Sequence, residues 1–357
     1  MKSEKKYYSL YKSVKEKILT REYQSGVKLP SKRTMADMTG YSTVTVENAY
    51  DRLIDEGYIY SLERSGYYVT DIGGIYPKER ISKPILPHLS EEESQLSDDF
   101  ESSVWFRTVR KVMSEKGDSL FVKSPSMGCA VLRNAISDYL YRYRGMFAEP
   151  ERIIIGSGSE QLYDTAVRIL GRDKIYAIED PSYSQIETVY SGMGVALERL
   201  KMGKNGIESS ALRSSAANVL HVTPFHSYPS GVTASLKKRH EYISWAGEGD
   251  RYIIEDDFDS EFFMPGHPVD PLYSIDAKGY VIYINTFSKS LSPSMRMGYM
   301  ILPWALLDVY REKLGAYSCT VPVFEQYVLA EFISSGNFER HLNRVRRRIR
   351  NEKNKFS

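Results

Sequence analysis

Lys289 is the residue of this 357-residue chain whose type and setting most invite chemistry. It stands in TFSKSLSPSMRMGY (286–299), just past an apolar run, YVIYIN (280–285), that reads as a buried strand. Hydroxyls surround it, and Arg296 follows seven residues later. A lysine so placed can capture a carbonyl through its amine. Only the neutral amine attacks, whereas an unperturbed lysine titrates at about 10.4. A partly buried position beside Arg296 is therefore expected to disfavour the ammonium. On FSK alone, a lysine that pairs with a carboxylate at a sheet edge is the simpler reading. The company it keeps argues against that.

GSGS (156–159), at a strand-to-helix turn, offers backbone N–H groups and the hydroxyls of Ser157 and Ser159 to an anion. Alone the signal is weak: Gln161 stands where G-x-G-x-x-G needs its last glycine. Thr286, Ser288 and Arg296 can complete a phosphate cup, Arg296 by a forked, charge-assisted contact. Asp256, 33 residues before Lys289, can keep a pyridine nitrogen protonated. Tyr183, in EDPSYS, can lie flat against such a ring. Together these residues describe a phosphorylated, pyridine-like aldehyde. His221 and His226 in HVTPFH raise the question of a metal, but with no third ligand near, a structural role is at least about five times better supported.

Those residues need strands to carry them. ERIII, KIYAIED, NVLHVTP, RYIIEDD and GYVIYIN are short apolar runs separated by helical stretches. Such alternation predicts an α/β domain with a mostly parallel sheet covered on both faces. Ligands of such sheets sit beyond the carboxyl ends of the strands, where every polar cluster named above falls.

The first seventy residues are built differently. Leu10, Val14 and Ile18 recur every fourth residue and line one helix face. Gly26 and Pro30 break the pattern, and Ser31 is expected to cap a second short helix, KRTMADMT. After a turn at Gly40-Tyr41, STVTVENAYDRLIDEG predicts a third helix with Val46, Ala49, Leu53 and Ile54 inward, stopped by Gly57. YIYSLERSGYYVT alternates around Arg64-Ser65-Gly66 like a two-stranded wing. Three helices and a wing make a winged helix-turn-helix, whose third helix enters the major groove of DNA. Ser42, Thr43, Thr45 and Asn48 would then reach base edges with modest selectivity. Lys32, Arg33 and Arg64 would hold phosphates, with Ser31 and Gly66 completing the candidate contacts. Twelve Lys/Arg against nine Asp/Glu in residues 1–70 make a weakly basic module, so a helical interaction domain without nucleic acid is the alternative.

Between the two, DIGGIYPKERISKPILPHLSEEESQLSDD reads as an extended linker, giving domains at 1–70 and 98–357 with a linker at 71–97. A net charge of +2 says nothing about partners, and two cysteines offer no disulfide framework or zinc spacing. The charged start lacks a signal-peptide core, and no run nears the roughly 20 apolar residues of a membrane span. The expectation is a cytoplasmic protein. The basic run at 340–350 reads as a solvated helix face.

Two resemblances sharpen this reading. GVKLPSKRTMADMTGYSTVTVENAYDRLIDEGYIYSLERSGYYV resembles the DNA-binding domain of the GntR family of bacterial regulators, from about Tyr7 to Val69. Thr43 departs from the arginine that many members carry there, and Glu47 from a position that is often basic. From about Trp105 to Arg350, SGSEQ, EDPSY, TPFHSYPSG, IIEDDFDSEF and TFSKSLSPSMRMGY resemble, in order and spacing, the fold-type I aminotransferases of class I/II. The combination is similar to the MocR (GabR-like) subfamily of transcriptional regulators. That resemblance implies pyridoxal 5′-phosphate as a Schiff base on Lys289, Asp256 at the ring nitrogen and Tyr183 stacked on the ring. It also implies Ser157, Gly158, Ser159, Ser288 and Arg296 around the phosphate. Phe258 stands where the subfamily usually has a tyrosine that donates to the cofactor's phenolic oxygen, and Tyr228 is the candidate replacement. Relatives run on well past RHLNRVRRRIR, so the small C-terminal domain is expected to be largely missing. The implied function is a homodimeric, DNA-binding regulator that senses pyridoxal phosphate, an amino acid, or both. An aminotransferase with an accessory head, or a non-functional truncated fragment, are the alternatives; sustained transaminase turnover is not expected.

Overall fold

A computed structural model describes residues 6–63, 65–71, 100–262 and 270–356. The candidate Arg64 and nearly all of the 71–97 linker lie outside the described residues. The chain divides into two compact units, Met1–Glu91 and Glu92–Ser357.

In the first unit, α1 (Lys6–Leu19) buries Leu10, Tyr11, Val14 and Ile18, the face its fourfold spacing predicts. The helix α2 (Lys32–Thr39) starts where the Ser31 hydroxyl accepts the Thr34 N–H, and ends at Gly40 in the left-handed region. In α3 (Thr43–Asp55), Ser42 caps in the same way by accepting the Thr45 N–H. Its buried face is Val46, Ala49, Tyr50 and Leu53, with Ile54 only partly buried. Tyr50 thus takes the place expected of Ile54, because its ring is fully covered while its hydroxyl reaches the Pro30 carbonyl at 2.9 Å. Each fully buried apolar side chain here contributes about 1.5–3 kcal/mol. Strands β1 (Ile59–Leu62) and β2 (Gly66–Val69) pair antiparallel in the register Ile59↔Val69 to Leu62↔Gly66, forming the wing.

Among its described residues the second unit forms an eight-stranded sheet covered on both faces. Its strands are β3 (Ile153–Gly156), β4 (Ile175–Asp180), β5 (Ala196–Gly203), β6 (Gly206–Ile207), β7 (Val219–Val222), β8 (Tyr252–Asp256), β9 (Val281–Thr286) and β10 (Gly298–Ile301). They lie in the order β3-β10-β9-β8-β7-β4-β5-β6. β5, β4, β7, β8 and β9 run parallel, whereas β10 is antiparallel to both β9 and β3. Alternate residues enter opposite cores: Val281 and Tyr283 pack on one face, Ile282 and Ile284 on the other. Burial on both faces explains why these strands read as continuous apolar runs. The carboxyl ends of β3, β4, β7, β8 and β9 consequently share one edge, and the loop entering β10 meets them there. Among the described residues no helix is long and apolar enough to cross a membrane.

Candidate functional site

At that edge lies a pocket of about 350 Å³. Its walls come from each strand end in turn: Ser159 and Glu160 after β3, Tyr183 after β4, Thr223 after β7, Asp256 and Phe258 at β8, Thr286, Ser288 and Lys289 at β9, and Arg296 before β10. Tyr163, Ile186 and Tyr228 complete it.

Asp256 forms the floor. It is buried, its Oδ2 accepts a short hydrogen bond from the Tyr163 hydroxyl, and its Oδ1 has no partner among the described residues. Burial pushes its carboxyl up to about 7, against the pull of the Tyr163 bond, and nearby Asp257 adds to the rise. Beneath it His221 is held at 2.6 Å, Nδ1 to the Tyr190 hydroxyl, with Nε2 4.0 Å from Asp256 Oδ2. Burial drives the imidazole down to about 3, so His221 is neutral and the 4.0 Å contact is not an ion pair. Among the described residues there is no cluster fit for a metal. Asp257 turns away to the buried Arg144 (2.8 Å) and the Tyr283 hydroxyl (2.7 Å), which pins the segment while its neighbours face the pocket.

Lys289 differs from its expected setting. Its side chain is 47% exposed, and Nζ lies 2.6 Å from Asp259 Oδ1 and 4.8 Å over the Phe258 ring. With about half of the side chain open to solvent, the burial expected to free the amine is not what this arrangement supplies. The pairing that FSK alone suggested is present, with Asp259 as the partner and in a pocket rather than at a bare edge. Asp259 also holds the exposed His226 through Nδ1, at 3.2 Å.

The anion end is assembled only in part. The helix Ser159–Leu170 begins without a side-chain cap, behind Gly158 at φ 108°. A Cβ on Gly158 would come within 2.8 Å of the Arg296 guanidinium, so a side chain there would fill the cradle. Ser157 does not line this pocket: its hydroxyl accepts from Thr320 at 3.0 Å, and its N–H is taken by Gln161 at 3.2 Å. Ser288 reaches the Met295 carbonyl at 3.3 Å while still lining the pocket. Tyr183 and Tyr228 pack edge to face, with ring centroids 6.0 Å apart, at the open side.

Sequence reasoning missed Tyr163, Asp259 and Glu160. Tyr163 had a local signal, standing one helical turn beyond Ser159 on the pocket-facing side. The two carboxylates had none.

In the first unit Thr43 and Asn48 are exposed on α3, as is Val44 at 62%, an apolar contact absent from the sequence expectation. Thr45 is half-buried, and the Ser31 and Ser42 hydroxyls are occupied in capping. Both therefore shape helix entry rather than offer free groups to bases. Lys32 is bound by Glu47 at 2.5 Å, a contact that raises its pKa and pairs the cation expected to hold phosphate with a carboxylate. Arg33 is exposed and makes no ion pair among the described residues. Gly66 opens β2 at φ 115°.

Residues 6–69 match the family described as bacterial regulatory proteins, gntR family. The whole chain is 34% identical to the uncharacterized HTH-type transcriptional regulator YdeL of Bacillus subtilis (strain 168), covering 97% of this chain and 77% of that protein. It is 28% identical to the probable rhizopine catabolism regulatory protein MocR of Rhizobium meliloti, over 95% of this chain and 73% of the other. The sheet unit is similar to an archaeal alanine:glyoxylate aminotransferase, with TM-score 0.62 and 25% identity over 69% of this chain. The chain spans 63% of that enzyme's length. A winged helix-turn-helix joined to an aminotransferase-fold body defines a class of transcriptional regulators. The chain belongs to the MocR-like regulators of the GntR family.

Proposed function

We propose that the chain binds operator DNA through its winged helix-turn-helix and binds pyridoxal 5′-phosphate in the strand-end pocket as a sensed ligand, working as a homodimer. The observation that carries the ligand assignment is Asp256 Oδ1. It is a buried acceptor without a partner among the described residues, on the floor of a pocket whose rim holds a lysine, an arginine and an uncapped helix start. A protonated ring nitrogen supplies the missing donor and restores the charge on a carboxyl that burial has raised to about 7. When bound, the cofactor supplies an aldehyde open to amines and a cationic ring that withdraws electrons.

The residues divide the work. Lys289 Nζ is the amine, and Asp259, at 2.6 Å, is placed to take the proton that nitrogen must lose before attacking a carbonyl. Arg296, Ser159, Thr286 and Ser288 serve the phosphate, and Tyr183 and Tyr228 flank the open side. Phe258 supplies only an apolar edge, so Tyr228 is the hydroxyl left for the ring oxygen. An amino acid that competes with Lys289 for the aldehyde is the natural second effector.

Duplexes selected by the protein from a random pool test the reading. Their affinity should change at least about fivefold on adding pyridoxal phosphate, the low end of ordinary coupling between sites. Unchanged affinity in a protein shown by borohydride labelling to be loaded would refute the sensor role. Arg33→Ala should weaken every selected duplex by a similar factor and lower the slope of log K against log salt by about 1. Loss confined to one sequence, with the slope intact, would make Arg33 a base reader.

A further inference from the structure

The anion end of the pocket already contains an anion. Arg296 Nη2 lies 2.5 Å from Glu160 Oε2, and the two side chains are 55% and 39% exposed. Glu160 is in the first turn of the Ser159–Leu170 helix, where the positive end of the helix dipole also favours it. One carboxylate therefore occupies both features that would attract a phosphate: the guanidinium fork and the helix start. A Cβ built on Gly158 would lie 3.4 Å from Glu160 Oε2 and 2.8 Å from Arg296, so the space beside the pair is narrow. The second cation of the pocket, Lys289, is likewise held by Asp259. The pocket is thus close to electrically neutral rather than cationic.

We infer that Glu160 is a built-in competitor for Arg296 that sets the pocket's affinity for phosphorylated ligands and keeps their binding reversible. This rests on the pyridoxal phosphate reading and adds a specificity-determining residue to it. A phosphate dianion gains the Arg296 fork only when the Glu160 carboxylate swings away. Having left the guanidinium, that carboxylate still repels the newcomer across a short distance. Both side chains are solvent-exposed, so the exchange needs no unfolding and stays within ordinary side-chain motion. A regulator benefits from such an arrangement, because a site filled at all physiological ligand levels reports nothing.

Glu160→Gln keeps the length of the side chain and removes its charge. Titration of wild-type and E160Q protein with pyridoxal phosphate and, separately, with pyridoxal tests the inference by equilibrium binding. E160Q should bind pyridoxal phosphate about five- to tenfold more tightly, the size of one charge-assisted contact at a partly exposed site, and pyridoxal equally well. Equal affinities of the two proteins for pyridoxal phosphate, or a gain as large for pyridoxal, would overturn the competitor role while leaving the pocket assignment intact. Failure of both proteins to bind either compound would sink the pocket assignment and this inference with it. Circular dichroism of E160Q establishes that a loss of binding is not a loss of fold.

Discussion

Lys289→Ala is expected to abolish the borohydride-stable label that pyridoxal phosphate leaves on the wild-type chain, together with the visible absorption of the lysine-bound cofactor. The loss should be complete, because a covalent bond has a single nitrogen to use in this pocket. Among the described residues Lys289 is the one lysine lining the pocket. The variant should fold normally, since the side chain is 47% exposed and its removal leaves Asp259 still in contact with His226. Non-covalent binding through Arg296 and Asp256 persists at reduced affinity. Peptide mapping after borohydride makes the check: a label that survives on the variant, or maps to another lysine in the wild type, refutes the assignment.

Asp256→Asn is expected to act in two opposite directions. Pyridoxal phosphate affinity should fall about 10- to 100-fold, the range for losing one buried hydrogen bond to a charged group. The free protein, however, should become less sensitive to a rise in pH from about 4 to about 7. Asp256 is raised by burial to about 7, and Glu179 and Glu255 are raised by burial to about 8. A carboxyl whose pKa is higher folded than unfolded keeps its proton more tightly in the native state. Its stabilising effect is whole below the unfolded value and is lost as pH rises through the folded one. The sheet unit should therefore lose stability between about pH 4 and pH 8. The asparagine variant should show a shallower decline up to about pH 7. Thermal melts of ligand-free protein at several pH values measure this; an identical slope for the variant would mean that Asp256 does not titrate in that window. Adding pyridoxal phosphate should flatten the wild-type slope as well, since a cationic partner for Oδ1 returns the carboxylate toward its ordinary range.

Much of the architecture was legible because it is written locally. The fourfold spacing of Leu10, Val14 and Ile18, the capping serines Ser31 and Ser42 and the stops at Gly40 and Gly57 each act within one or two turns of chain. The apolar runs that open β3 and β9, and that of β7 broken at His221, announce strands buried on both faces, and such strands require a covered parallel sheet. From that requirement the gathering of Asp256 and Lys289 at one edge follows, because carboxyl ends of parallel strands coincide; Arg296 joins them through the loop entering the antiparallel β10.

Partnership was not legible. Lys32 and Glu47 stand on different helices, and only their packing turns an expected phosphate contact into an ion pair. The same holds for Asp259 on Lys289, Glu160 on Arg296, Tyr163 on Asp256 and Asp257 on the buried Arg144. Residue types and spacing by themselves determined the two folds and the sheet edge at which Asp256 and Lys289 stand, since helix and strand periodicities act over a few residues and leave few ways to build a covered sheet. Tertiary structure alone decided which charge each cation sees and which acceptor is left without a donor. Those outcomes depend on distances of a few ångströms between segments as far as 136 residues apart, over which sequence imposes no period.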